Sequence, residues 1–390
     1  MITFPGFANA HSHAFHRALR GRTHDAGGTF WSWRKLMYAV ADRLDPDRYF
    51  ALARATFAEL VLAGWTGVGE FHYLHHRPGG RRYADPNAMG AALAAAAGEA
   101  GIRLTLLDTC YLAGGLDSHG HLALDDHQMR FSDGSVDAWL ERALDRPDWG
   151  DHVRLGVAIH SVRAVPEAAL IRIAETLAGR ELPIHLHLSE QPAENAACVA
   201  RYGRTPTRLL ADCGLLDSRL TAVHATHLTD DDIALLGRAG ATAAFCPTTE
   251  RDLADGIGPA RRLADAGAAL AVGSDQHAIV DPFEEVRAVE LDERLASGRR
   301  GNFSPEALIT IGTTNGWRAL GWDPGTVDDR VIIDDASPRT AGSEPEQMIM
   351  SASAADVREV VCLGETIVGN GEHRLGDIGK LLHDAIGDLR

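Results

Sequence analysis

Short, largely apolar runs alternate with longer amphipathic stretches along most of the chain. "WTGVGEFH", "IRLTLLDTCY", "VRLGVAIH", "LPIHLHL", "LTAVHAT", "ATAAFCPTT" and "AALAVGSD" have the length and composition of buried strands. "ITFPGFANAHSH" precedes them and reads as a first strand of the same series. The stretches between them carry helical spacing. Phe50, Ala53, Phe57, Leu60 and Val61 recur on one face, after Asp45-Pro46 and before Gly64. That is a cap, a proline at the first helical position and a glycine stop. Asp85-Pro86 and Gly101 bracket an alanine-rich helix in the same way, and further helices are expected from about Pro166, over 206–213 and from about Thr229. Eight strands alternating with helices in roughly 275 residues predict an α/β fold, a (β/α)8 TIM-like barrel. A doubly wound sheet would place a glycine-rich phosphate turn after the first strand; histidines stand there instead.

The rhythm changes near Val327. "RVIID" and "VREVVCLGETIVGNGEH" are short strand-like runs with glycine turns. The expected division is a barrel over 1–326 and a small β-rich appendage over 327–390. With the first strand given to the barrel, the appendage is expected to leave a sheet edge open to pairing.

Composition narrows the function by exclusion. The net charge of −16 over 390 residues makes nucleic acid an improbable partner, and an anionic substrate would need arginines at its site. Five dispersed cysteines without a C-x-x-C pair suit reduced thiols and a cytoplasmic location. No apolar run of about 18 residues is present, so no membrane span is expected, and "MITFPGFANAHSH" lacks the basic start of a signal peptide.

The chemistry lies where a barrel keeps it, at the C-terminal ends of strands. Nine of the 19 histidines fall at these ends: His11, His13, His72, His160, His185, His187, His224, His227 and His277. Residues i and i+2 of a strand share a face, so His11 and His13 can point together into the barrel mouth. Two imidazoles, a third histidine and a carboxylate suit one divalent metal, zinc above all, with a position left for water. A water on such a metal is a nucleophile near neutral pH.

"HSH", "HLHLSEQ", "VHATH" and "GSD", each at its strand end, resemble the amidohydrolase superfamily in its mononuclear deaminase branch. "IHSVRAV" holds no lysine where binuclear relatives place a carbamylated bridge. "HSHAFHRAL", "FWSWRKLMY", "EFHYLHH", "IHSVRAV", "HLHLSEQ" and "VHATHL" are together similar to the formimidoylglutamate deiminases, from about Gly6 to about Gly321. The resemblance implies hydrolysis of N-formimino-L-glutamate to N-formyl-L-glutamate and ammonia, a homodimer, and an appendage that is a β-sandwich reduced at its N-terminal side. It implies His11, His13, His187 and Asp275 as metal ligands. Glu190 would be the proton shuttle, and Asp275 and His224 would serve the water, with His224 open to a role as fifth ligand. Arg34, Tyr111 and Arg163 would contact the substrate's carboxylates, joined by His16 and His160. Trp31 and Trp33 would anchor a lid. Two departures bear on the substrate: His16 stands where that family has glutamine, and "TTERDLADG" is a variant stretch. His72, His160 and His185 are expected near the mouth, orienting ligands, and His75, His76 and His277 in loops or at the surface. The rival readings are a deaminase or cyclic amidase for a purine, pyrimidine or imidazolone, and a non-catalytic metal-binding barrel.

Overall fold

A computed structural model describes residues 1–24 and 30–389, with the backbone alone for 30–32. In chain order the strands are β1 (Ile2–Pro5), β2 (Phe7–Ser12), β3 (Trp65–His72), β4 (Arg103–Cys110), β5 (Gly115–Asp117), β6 (Gly120–Leu122), β7 (Val153–Ile159), β8 (Ile184–Leu188), β9 (Leu220–His224), β10 (Thr242–Phe245), β11 (Ala269–Val272), β12 (Arg330–Ile333), β13 (Val357–Cys362), β14 (Glu365–Gly369) and β15 (Glu372–His373). Eight of them form the parallel barrel sheet, ordered β11-β10-β9-β8-β7-β4-β3-β2. β5 and β6 make a small hairpin beside it.

The barrel closes at the chemistry. Ser12 and Asp275 form a parallel bridge, the Asp275 N–H donates to His11 O (2.9 Å), and the His13 N–H donates to Asp275 O (3.0 Å). Gly273 permits this seam, since a Cβ there would stand 2.7 Å from His11 O.

The expected single first strand is two strands. Ile2–Pro5 pairs antiparallel with β12, Ile2 opposite Ile333 and Pro5 opposite Arg330, and only Phe7–Ser12 enters the barrel. The chain crosses between sheets at Gly6, where a Cβ would lie 2.1 Å from Thr66 Oγ1. Hence the open edge expected at β12 is covered, in a five-stranded sheet ordered β1-β12-β13-β14-β15. A terminal helix, Ile378–Gly387, packs from this side on the barrel helix Pro46–Ala63.

Local sequence explains the helices that position the site. α1 (Phe30–Ala41) follows β2, and α2 (Pro46–Ala63) starts where Asp45 Oδ1 accepts from the Arg48 N–H (2.9 Å) and stops at Gly64, φ +111°. α3 (Ala88–Ala100) ends at Gly101, φ +77°, and α4 (Val136–Leu144) is capped by Ser135. "ATAAFCPTT" is strand only to Phe245; Pro247 then opens the helix Pro247–Asp252, because proline suits a first helical turn. The barrel's far end is filled by Ala8, Trp317, Leu320 and Trp322. Among the described residues no helix is long and apolar enough to cross a membrane.

Candidate metal centre and active site

Four side chains from three strand ends converge in the barrel mouth. His13 Nδ1 lies 3.0 Å from Phe71 O, and His187 Nδ1 lies 2.9 Å from His160 O. A carbonyl only accepts, so both Nδ1 atoms carry the proton and both Nε2 atoms present lone pairs. Those lone pairs face each other at 3.4 Å, an arrangement that a cation relieves. His11 Nε2 is 3.2 Å from His187 Nε2, and Asp275 Oδ1 is 3.3 Å from His11 Nε2 and 3.5 Å from His13 Nε2. Ligands about 2.0–2.1 Å from a small tetrahedral ion stand about 3.3 Å apart, close to these pair distances, and the donor atoms gather in two triads that share His11, one with His13 and Asp275 and one with His187 and His224. Burial keeps the imidazoles in the neutral, ligating form: His11 and His13 lie well below their usual range and His187 is lowered to about 4.

A second tier sits against this cluster. His224 Nε2 faces Glu190 Oε1 at 3.9 Å, and its Nδ1 is 3.2 Å from Glu250 Oε1. The His224 ring stacks on His187 at 5.7 Å between centroids. Burial opposes protonation of His224, but Glu190, the Glu250 hydrogen bond and Asp275 together lift it to about 10. Burial likewise pushes the Glu190 carboxyl up, but His224, Arg163 and His187 outweigh it and hold the group below its usual range. The two groups thus favour each other's charged forms. Ser189, His224, Ala225, Asp275 and His277 all have positive φ, between 42° and 68°. Such strain persists only where surrounding structure enforces it, and here it lies at the ends of β8, β9 and β11.

Above both tiers is a cavity of about 840 Å³, with His13, His187, Glu190, His224 and Asp275 at its floor. Arg34, Tyr111, Arg163, His16 and His160 all reach its wall. Arg163 points Nη2 at Glu190 Oε2 (3.5 Å) and Nε at Glu194 Oε2 (3.4 Å). Charge-assisted bonds reach about 2.7–2.9 Å, so these long contacts leave the guanidinium capacity for another anion. His16 Nε2 is 3.0 Å from Tyr73 Oη, and the His16 ring packs at 5.1 Å from Trp33. Trp33 Nε1 donates to Gln276 Oε1 (2.8 Å). The Trp31 side chain lies outside the described residues.

Residues 2–366 match the sequence pattern described as "Amidohydrolase family". The chain belongs to the amidohydrolase family. It is 36% identical to formimidoylglutamate deiminase of Pseudomonas aeruginosa, over 95% of this chain and 85% of that protein. It is 26% identical to 5-methylthioadenosine/S-adenosylhomocysteine deaminase of Moorella thermoacetica, over 98% and 85%. The crystal structure of an amidohydrolase from Brucella melitensis superposes with a TM-score of 0.88 at 31% identity, covering 99% of this chain and 89% of that one. The family is metal-dependent, and this chain is a metal-dependent hydrolase of C–N bonds.

Strand parity places several histidines of this amidohydrolase differently from expectation. Phe71 faces the donor cluster, 4.4 Å from the His187 ring, so its neighbours Glu70 and His72 face away. Glu70 accepts from Ser12 Oγ and the Ala14 N–H, both at 2.7 Å, and thereby ties down the turn after His13. His72 packs on His75. His185 lies deeper in the barrel, with Nε2 2.8 Å from Ala319 O, away from the mouth. His75, His76 and His277 lie in loops, as expected, but are buried there and not at the surface. His277 bonds Ser12 and Ser274, and His76 bonds Asp133. Sequence reading also passed over Tyr38, Tyr73, Gln128, Glu194 and Glu250. Tyr73 directly follows "EFH" and was within reach of the strand-end argument; the others lie on helices and loops whose facing partners are not local.

Proposed function

We propose that this chain hydrolyses N-formimino-L-glutamate to N-formyl-L-glutamate and ammonia. The observation that carries the reading is the position of Arg163 and Arg34 on the wall above the donor cluster. A dicarboxylic substrate needs cations there, and this chain's overall charge is strongly negative. The 36% identical formimidoylglutamate deiminase supports the same substrate.

His11, His13, His187 and Asp275 would hold one zinc ion, a donor set suited to that metal. Bound there, the metal supplies Lewis acidity that makes water nucleophilic near neutral pH. Asp275 and His224 hold the attacking water, Asp275 by accepting its proton and His224 by donating to the oxygen as charge develops. Glu250, bonded to Nδ1, keeps the His224 Nε2–H directed at the site. Water adds to the amidine carbon and its two protons pass to the terminal nitrogen, one by way of Asp275 and one taken up and returned by Glu190; the C–N bond to that nitrogen breaks, it leaves as ammonia, and the remaining oxygen becomes the formyl carbonyl. Arg163, Arg34, Tyr111, His160 and His16 hold the glutamate portion. His16, bonded to Tyr73, fills the place of the glutamine of formimidoylglutamate deiminases.

The test is ammonia release from N-formimino-L-glutamate, with metal content measured on the same sample. Release is expected, lost on chelation and restored by zinc. A full metal complement with no release, or release from S-adenosylhomocysteine instead, would refute the substrate. Arg163→Met is expected to raise KM by about 10- to 100-fold, the worth of a hydrogen bond to a charged group, with metal content unchanged. Unaltered kinetics would remove Arg163 from substrate binding.

A further inference from the structure

One neutral side chain sets the hydrogen-bond polarity of the cavity wall. Gln128 is 1% exposed and lies in the short 3-10 turn Gln128–Phe131. Its Oε1 accepts from the Asp125 N–H (3.0 Å), and its own N–H donates to Asp125 Oδ1 (2.8 Å). The first bond fixes the side-chain amide with its nitrogen on the far side, and the second is made by the backbone N–H. There Nε2 reaches Tyr111 Oη (3.0 Å), Tyr38 Oη (3.1 Å) and Gly114 O (3.2 Å). An amide nitrogen only donates, and its two N–H groups are shared among these three acceptors, so neither phenol can give its proton to Gln128. Tyr38 Oη also accepts from Arg34 Nε at 2.6 Å. Each hydroxyl proton must therefore be donated elsewhere. Among the described residues no acceptor is bonded to either hydroxyl, and Tyr38, Tyr111 and Gln128 all line the cavity. Burial raises both phenols above their usual range, so each keeps its proton.

We propose that Gln128 is a positioning residue that turns the Tyr38 and Tyr111 hydroxyl protons into the cavity, completing with Arg34 and Arg163 a donor-only receptor for a substrate carboxylate. The inference rests on the dicarboxylate reading above. It accounts for selectivity that arginines alone would not confer. A carboxylate can accept from every group of such a wall, whereas a carboxamide placed there would set its own N–H groups against donors.

The experiment is a double-mutant cycle on the metal-loaded protein, read as the calorimetric Kd for N-formyl-L-glutamate alongside KM and kcat. Tyr111→Phe alone is expected to weaken binding about 10-fold or more. Gln128→Glu offers both phenols an acceptor, so their protons turn back into the wall; it should weaken binding about 10- to 100-fold, in KM and Kd rather than kcat. In the Gln128→Glu background, Tyr111→Phe should then cost nothing further, because that proton is already turned away. Additive effects would mean that the glutamine acts through packing or charge alone, and would overturn the proposal. If Gln128→Glu does not fold, Gln128→Met serves in the same cycle, with the same reduced cost of Tyr111→Phe expected and additivity again decisive against it. A wild-type protein that neither binds N-formyl-L-glutamate nor releases ammonia from the substrate would refute the dicarboxylate reading itself. Binding by wild type with an additive cycle would refute the role of Gln128 only.

Discussion

Glu190→Gln is expected to lower kcat by about 10²- to 10⁴-fold, the usual worth of a positioned proton-transfer group, while metal content stays at the wild-type level. The two halves of this expectation come from different distances. Glu190 is absent from the groups of side chains whose donor atoms converge for a metal, His11, His13 and Asp275 on one side and His11, His187 and His224 on the other. It stands beyond them, with Oε1 3.9 Å from His224 Nε2 and Oε2 3.5 Å from Arg163 Nη2. Its two cationic neighbours hold it ionised despite burial, so it can take a proton and return one to a departing nitrogen. Glutamine keeps the shape and can do neither. Steady-state kinetics with metal analysis on the same preparation checks it. Loss of metal in the variant would make Glu190 a ligand, and unchanged turnover would move the proton transfer to another group.

Arg142→Met is expected to destabilise the folded protein by about 3–5 kcal/mol, the cost of stranding buried charge when one partner is removed. Arg142, on α4, bonds Asp108 through Nη1 (2.7 Å) and Nη2 (2.9 Å), and Asp133 through Nη2 (2.9 Å) and Nε (3.1 Å). Arg142 and Asp108 are buried, the Asp133 side chain is 2% exposed, and Trp139 Nε1 adds a bond to Asp108 at 2.9 Å. Without the guanidinium two carboxylates stay in the interior with too few partners. Burial favours the neutral acid at both, but Arg142 and His75 outweigh it at Asp108, which is held at about 2. At Asp133 the His76 hydrogen bond, His75 and Arg142 do the same, and it lies below its usual range. Both folded values fall below the unfolded carboxylate value of about 3.9. Their contribution is therefore complete above about pH 4 and is lost as pH falls toward 2. The gap in thermal midpoint between wild type and Arg142→Met should be wide at neutral pH and narrow steadily below about pH 4. A gap that holds constant into acid would show that the loss is one of packing, not charge. The network also matters to the site, because it anchors the stretch that carries Tyr73 and, through the His75 and His76 N–H bonds to Arg130 O (3.2 and 3.0 Å), the turn that carries Gln128.

The barrel and the histidine-rich strand ends at its mouth were readable because both follow short-range rules. Strand and helix periods, proline after a capping Asp and glycine stops are local, and they recur along the chain. His11 and His13 share a face because a strand repeats every two residues, and a barrel collects its strand ends at one mouth wherever they fall in sequence. Those two rules bring His11 within 3.2 Å of His187, 176 residues away. The same parity, applied without knowing which residue faces inward, misplaced His72 and His185. Only the folded chain assigns Phe71 to the interior and sets His185 a layer below His187.

The tertiary structure alone decided three further matters. It split the first predicted strand, because whether Ile2–Pro5 pairs with the barrel or with β12 depends on a partner more than 320 residues distant. It supplied Glu250 to His224, Glu194 to Arg163 and Gln128 to Tyr38 and Tyr111. And it buried His75, His76 and His277, which in sequence look like polar loop residues. The sequence by itself therefore determined the fold class and which side chains meet in the barrel mouth, both consequences of local periodicity and barrel symmetry. The orientation of hydroxyl and imidazole protons around those atoms was decided by contacts between loops, whose geometry no local repeat encodes.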